Sequence, residues 1–274
     1  MIVIIAGVRC SLWGVLLIGL LILAGLPGCS RPDPENTINI AGSSSVQPLS
    51  EELANAFMED NPGIYINVAG GGSSAGIKAA KDGTADIGAS SRELSKDEEK
   101  GLLVIPIAID GIAIVVNPEN PVKNLTLEQI QGIYAGEITN WKEVGGREGD
   151  INAFTREEGS GTRGAFEELV MKGSRISSKV GVQNSTGSLR TAVAGDPQAV
   201  AYISLGNVND SVKVLAVEGV TPRDETIKNG SYKLARYFYY LTKEQPREIA
   251  KQFIDFVLSP EGQQIVGEVF VPVK

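Results

Sequence analysis

The sequence predicts an α/β protein of two lobes, each a mainly parallel sheet flanked by helices, joined by two chain crossings. Three observations predict it. Short apolar runs of strand length alternate with stretches whose apolar residues recur every three or four positions, the pattern that builds a parallel sheet with helices on its faces. Turns rich in glycine and serine separate each run from the helix after it. A long aromatic run, 232–241, returns late in the chain and is followed by two more helical patterns, so the first lobe is completed by the C-terminus.

The elements follow in order. After a polar stretch at 30–36, Ile38-Asn39-Ile40-Ala41 predicts a strand, and Leu49, Leu53 and Phe57 at i, i+4 and i+8 predict a helix. The unit recurs as a strand at 64–68, a glycine-serine turn and a helix through 77–80, then as a strand at 85–89 leading into Ser90-Ser91-Arg92. A second series opens with Gly111-Ile112-Ala113-Ile114-Val115-Val116-Asn117, apolar enough to be buried on both faces. A helix at 127–134, a strand at 151–154, a helix after Thr162, a helix at 189–194 and strands at 199–203 and 212–217 continue it. Then comes the strand at 232–241, and Ile249, Phe253 and Val257 mark one face of the first closing helix. Crossings near 110–114 and 236–239 divide lobe I (37–112 plus 237–274) from lobe II (113–236). In open α/β sheets ligands sit at the carboxyl ends of strands, where these turns fall.

Residues 1–28 carry one charge, Arg9, and the apolar run 15–23, and they read as an export signal. The segment ends in Leu26-Pro27-Gly28-Cys29, which resembles a lipobox, with Cys29 lipidated as the first mature residue and 29–36 as the tether. The alternative is a short membrane anchor with an incidental cysteine; the run is short for a bilayer span and the cysteine lies just past its end. The second cysteine, Cys10, falls inside the signal, so no disulfide is expected, and the 246 residues left are ample for a self-sufficient core.

With Arg9 removed, 24 basic residues face 33 acidic ones, a net charge of −9, and there is no histidine. No Lys/Arg cluster offers a face for nucleic acid. The usual general base, the commonest metal ligand and paired thiolates are all missing, which counts against hydrolases and metalloenzymes. No cofactor or metal is expected, and the chain is not expected to be an enzyme. Overall acidity does not forbid an anionic ligand, because charges beyond roughly 8 Å are largely screened at physiological salt and local donors decide.

Three segments supply such donors. Gly42-Ser43-Ser44-Ser45 and Gly70-Gly71-Gly72-Ser73-Ser74 each follow an apolar run and precede a helix. Serine before a helix is also the ordinary N-cap, and a glycine run is also a flexible loop. Arg156, four residues ahead of Ser160-Gly161-Thr162 at a helix start, combines a guanidinium fork with exposed amides, the chemistry of an oxyanion receptor. Its bland reading is a surface arginine paired with Glu157 or Glu158 before a capped helix. Ser90-Ser91-Arg92 reads equally as a cap with a solvated arginine. The aromatic cluster 237–240 and Trp141 suit core packing better than sugar stacking.

Taken together, Ala41-Gly42-Ser43-Ser44-Ser45, Gly70-Gly71-Gly72-Ser73-Ser74-Ala75-Gly76, Ala85-Asp86-Ile87-Gly88-Ala89-Ser90-Ser91-Arg92 and Arg156-Glu157-Glu158-Gly159-Ser160-Gly161-Thr162-Arg163 resemble the phosphate-binding lipoproteins that feed the high-affinity phosphate ABC importer. The resemblance runs from about Ile38 to the C-terminus. It implies a type II periplasmic-binding-protein fold that closes around inorganic phosphate, lipid-anchored on the outer face of the cell membrane beside ABC permease subunits, and a monomer is expected. By motif position it implies ligand contacts at Ser44, Ser45, Ser73, Ser91, Arg156, Ser160, Gly161 and Thr162. Many members of this family carry an aspartate where this chain has Ser91; a neutral hydroxyl accepts a phosphate proton but repels sulfate less. Three other readings stay open: a receptor for sulfate, molybdate or tungstate, an exported phosphate-ester enzyme, and an adhesion or signalling protein on the same fold.

Overall fold

The computed structural model describes residues 33–274. The predicted signal 1–28 and Cys29 lie outside the described residues. Twelve strands run in chain order: β1 Thr37–Gly42, β2 Tyr65–Gly70, β3 Ile87–Ser90, β4 Leu102–Val116, β5 Asn124–Leu125, β6 Asn152–Arg156, β7 Gly181–Gln183, β8 Ala199–Ser204, β9 Lys213–Val214, β10 Ala216–Val217, β11 Ala235–Lys243 and β12 Val271–Pro272. The helices are α1 Gln47–Asp60, α2 Ser73–Asp82, α3 Lys96–Glu99, α4 Leu127–Ala135, α5 Gly161–Phe166, α6 Thr186–Ala194, α7 Asp224–Lys228, α8 Glu248–Val257 and α9 Pro260–Val266. Among the described residues no helix is long and apolar enough to cross a membrane.

The main sheet has the order β2-β1-β3-β11-β4-β8-β6-β7. Its two ends are parallel: β1 pairs in parallel with β2 and β3, and β6 with β7 and β8. Its centre is antiparallel, through β3–β11, β11–β4 and β4–β8. The lobes therefore share one ladder. The fifteen-residue β4 makes the join: Asp110 pairs with Arg236 of β11 and Gly111 with Ala235, while Ile112 onward pairs with β8, beginning at Ser204. Between Phe238 and Tyr239 of β11 the register shifts from Ala108 to Pro106, so Ile107 of β4 is the extra residue.

Each half has its own core. Ile38, Ile40, Leu49, Leu53, Phe57, Phe238, Tyr240, Phe253 and Val257 pack together in one. In the other, Ile112, Ile114 and Val116 of β4 face Ile130, Ile133, Trp141, Phe166 and Tyr202. The alternate residues Ala113 and Val115 face Leu189, Val193, Ala201 and Ile203 on the opposite side. This is why 111–117 reads as continuously apolar: both of its faces are covered. Trp141 is a core residue whose indole N–H donates to the Gln198 carbonyl at 3.0 Å, and in the aromatic run Phe238 and Tyr240 are buried while Tyr237 is exposed. Val271 of β12 packs into the second core although it lies at the C-terminal end of the chain.

The predicted strand at 212–217 is two short strands. Leu215 separates them, fully buried, with its amide donating to the Ile114 carbonyl at 2.9 Å. β9 joins β4 and β10 joins β5. Helix starts are capped as local chemistry dictates: Thr126 and Gln129 cap α4 reciprocally, and Ser185 and Ser188 do so for α6.

Candidate functional site

The glycine-serine turns sit at the carboxyl ends of β1, β2 and β3, and their serines are not helix caps. α1 starts at Val46 without a side-chain cap, and the Ser43 carbonyl receives the Val46 and Gln47 amides instead. α2 starts after Gly72, which holds φ +88° in the left-handed region where only glycine rests easily. The hydroxyls are thereby left to one another. Ser43 Oγ donates to Ser91 Oγ at 2.8 Å, and Ser73 Oγ accepts the Ser91 amide at 3.0 Å. Ser45, Ser73 and Ser91 are completely buried.

The opposing side comes from β6 and the start of α5. Arg156 ends β6 and is 2% exposed, which excludes the surface-arginine reading. Glu157 takes its outer edge, with Nε to Oε2 at 2.8 Å and Nη2 to Oε1 at 2.9 Å. The inner edge points across the cleft: Nη2 donates to Ser44 Oγ at 3.2 Å and Nη1 to Thr186 Oγ1 at 3.1 Å. Glu157 thus orients the fork rather than shielding it. Ser160 caps α5 by accepting the Arg163 amide at 3.3 Å, and Thr162 Oγ1 lies 2.8 Å from Ser45 Oγ. Arg163 turns back onto the Arg156 carbonyl and Glu167.

Ser44, Ser45, Ser73, Ser91, Arg156, Gly161 and Thr162 therefore come together at one place, with Ser160 beside them at the cap. Each hydroxyl named bonds to a hydroxyl, an amide or the Arg156 guanidinium. That is a set of converging donors around one cation, suited to holding an oxyanion, and it contains no nucleophile bonded to a general base.

At Gly161 the two sides approach closely. A Cβ there would stand 2.1 Å from Ser73 Oγ and 2.6 Å from Ser91 Oγ. Its backbone is helical, so alanine suits α5 itself, and the clash falls wholly on the facing turns. Gly161→Ala is expected to keep the melting temperature within about 3 °C, roughly the effect of 1 kcal/mol in a chain this size. Oxyanion binding measured by calorimetry should weaken at least tenfold, because Ser73 and Ser91 must turn away. Unchanged affinity would show that the close approach is not needed for binding.

A family model described as a PBP superfamily domain matches residues 30–261. The phosphate-binding protein PstS of Bacillus subtilis (strain 168) is 31% identical over 243 residues, 86% of this chain and 81% of that protein. The chain belongs to the PstS family of the PBP superfamily. Among solved structures, a substrate-binding protein with bound phosphate from Clostridium perfringens is similar with a TM-score of 0.85 and 44% identity, covering 87% of this chain and 100% of that one. An ABC-type phosphate transport receptor from Vibrio cholerae has a TM-score of 0.71 and 40% identity, covering 85% and 99%. The type II periplasmic-binding-protein fold is shared with these PstS relatives.

Four groups at this PstS-family site lie beyond the ligand contacts that the motifs imply. Thr186, at the start of α6, bonds to Ser45 Oγ at 2.9 Å as well as to Arg156. Ser43 orients Ser91. Asn207 donates to the Ser45 carbonyl at 3.1 Å and to Ser204 Oγ at 3.2 Å. Behind Ser91 lies a buried ion pair: Arg236 donates to Asp110 Oδ2 through Nε at 3.2 Å and Nη2 at 3.0 Å, and through Nη1 to the Ser91 carbonyl at 2.9 Å. Asp110 Oδ1 also accepts from Ser204 Oγ at 2.9 Å and the Leu205 amide at 3.1 Å. Complete burial pushes the Asp110 carboxyl up from its ordinary value, and the Arg236 charge and these donors offset the push. At the rim, Arg92 is not solvated: it pairs with Glu98 at 2.8 Å and reaches Ser74 Oγ at 3.2 Å. This pairing holds the Glu98 carboxyl down to about 2.

Proposed function

We propose that this chain is an extracytoplasmic receptor that captures inorganic phosphate between its two lobes and delivers it to an ABC importer. The observation that carries the proposal is the Arg156 fork, buried and aimed by Glu157 at the serine turns across the cleft. It stands in a family with a relative solved with bound phosphate. Residues 37–112 with 237–274 act as one moving body and 113–236 as the other, turning about β4 and β11. Ser44, Ser45, Ser73 and Ser91 donate from the first, and Arg156, Ser160, Gly161 and Thr162 from the second. Each hydrogen bond to a charged ligand contributes about 1.5–3 kcal/mol. Several such bonds give the roughly 8 kcal/mol of micromolar affinity after ordering costs.

Lipid on Cys29 keeps the receptor at the membrane beside the permease, which reads the closed, loaded form. The chain works as a monomer and performs no catalysis. One feature favours a wider ligand range: the neutral Ser91, whose neighbours are the hydroxyls of Ser43 and Ser73, holds no negative charge against sulfate.

The test is isothermal titration of the mature soluble chain, stripped of ligand by unfolding and refolding, with phosphate in the presence and absence of excess sulfate. Micromolar or tighter binding that survives the sulfate is expected. Equal competition by sulfate or molybdate would widen the substrate to tetrahedral oxyanions at large, and no heat with any of them would overturn the proposal.

A further inference from the structure

Thr186 opens the nine-residue α6 and is 2% exposed. The cap of that helix is already supplied by Ser185, whose Oγ accepts the Ser188 amide at 3.0 Å, so the Thr186 hydroxyl is free for other work. It points at the cleft. Thr186 Oγ1 accepts Arg156 Nη1 at 3.1 Å and lies 2.9 Å from Ser45 Oγ and 3.4 Å from Ser44 Oγ. The Thr186 amide donates to Ser44 Oγ at 3.3 Å.

The donor count of Arg156 makes this placement informative. A guanidinium has five N–H groups in a rigid fork. Glu157 engages Nε and one N–H of Nη2, leaving the Nη1–Nη2 edge facing inward, and the partners on that edge are Thr186 and Ser44. An oxyanion held bidentately takes such an edge. Its oxygens then come within one hydrogen bond of both hydroxyls, Ser44 on one side and Thr186 on the other. A hydroxyl that accepts from the guanidinium in one orientation donates to an anion in another, by rotation about its Cβ–Oγ bond.

We infer that Thr186 is a direct contact of the bound anion, a donor from α6 to the oxygen that the Arg156 fork engages. The inference rests on the phosphate reading above. It adds a fifth chain segment to the site, beyond the three turns after β1, β2 and β3 and the β6–α5 segment.

Calorimetric titration of phosphate into the wild-type mature chain, Thr186→Val and Thr186→Ser tests it, with melting temperatures measured alongside. Valine keeps the shape and removes the hydroxyl, so at least a fivefold weakening is expected, since a hydrogen bond to a charged ligand is worth about tenfold even at the lower end. Serine keeps the donor and should bind within about threefold of wild type. Should Thr186→Val fail to fold, Thr186→Ala, which only removes atoms, is read in the same way. Wild-type binding with the valine variant inside twofold, or tighter than wild type, overturns this inference alone and makes the hydroxyl a filler or a competitor for the fork. A wild-type chain that binds no phosphate overturns the receptor reading and this inference with it.

Discussion

Arg156→Ala is expected to weaken phosphate binding by about a hundredfold or more. Two charge-assisted bonds from the inner edge of the fork, at about 1.5–3 kcal/mol each, are lost. At 1.4 kcal/mol per tenfold, that sum passes two decades. The loss is compounded by Glu157, whose carboxylate is bonded through both oxygens to the Arg156 guanidinium and would be left beside the anion without it. Arg156→Lys should recover little, since a point charge cannot hold Glu157 and the cleft hydroxyls at once. Calorimetry on each variant decides the matter; affinity within twofold of wild type for the alanine variant would remove Arg156 from the site and with it the phosphate assignment.

The second large effect is on stability. Asp110→Asn is expected to destabilise the fold by about 3–5 kcal/mol, the usual result of leaving one partner of a buried ion pair uncompensated. In a chain of this size that lowers the melting temperature by roughly 6–20 °C. Asp110 and Arg236 are both buried, and the asparagine would keep hydrogen bonds to Ser204 and Leu205 while leaving the Arg236 charge without a counter-ion. Replacing both residues by leucine should be milder than the single change, because no charge is then left stranded. Scanning calorimetry measures both, and a drop under about 1 kcal/mol for Asp110→Asn would show the pair to be immaterial to the fold.

The alternation of strand and helix was legible because burial on one face or two leaves a period in the apolar residues, as at Leu49, Leu53 and Phe57 or at 111–117. The first half of β4 was not, since Pro106 interrupts it and its neighbours Leu103 to Ile105 are exposed or half-buried against the late-arriving β11. The break at Leu215 is equally silent in sequence: one side chain turns inward, and no glycine or proline marks it. At the site, glycines and serines in suspicious number announced the turns, while Thr186 lies outside the helix read at 189–194 and belongs to none of the motifs. The available signal was Ser185-Thr186, two hydroxyl residues where a cap needs one. Asp110 is a lone charge inside an apolar run and Arg236 a charge directly ahead of an aromatic one, and two such charges of opposite sign at the same crossings foretell a buried pair.

The ladder that runs unbroken from β2 to β7 makes the molecule a torsion spring rather than a pair of bodies on loose strings. On the proposed two-body motion, opening and closing would be taken up as added twist over the residues where β4 exchanges β11 for β8. Such a joint would have a restoring force and a narrow range of travel. On each proposed stroke it would bring Arg156 back to the same serines.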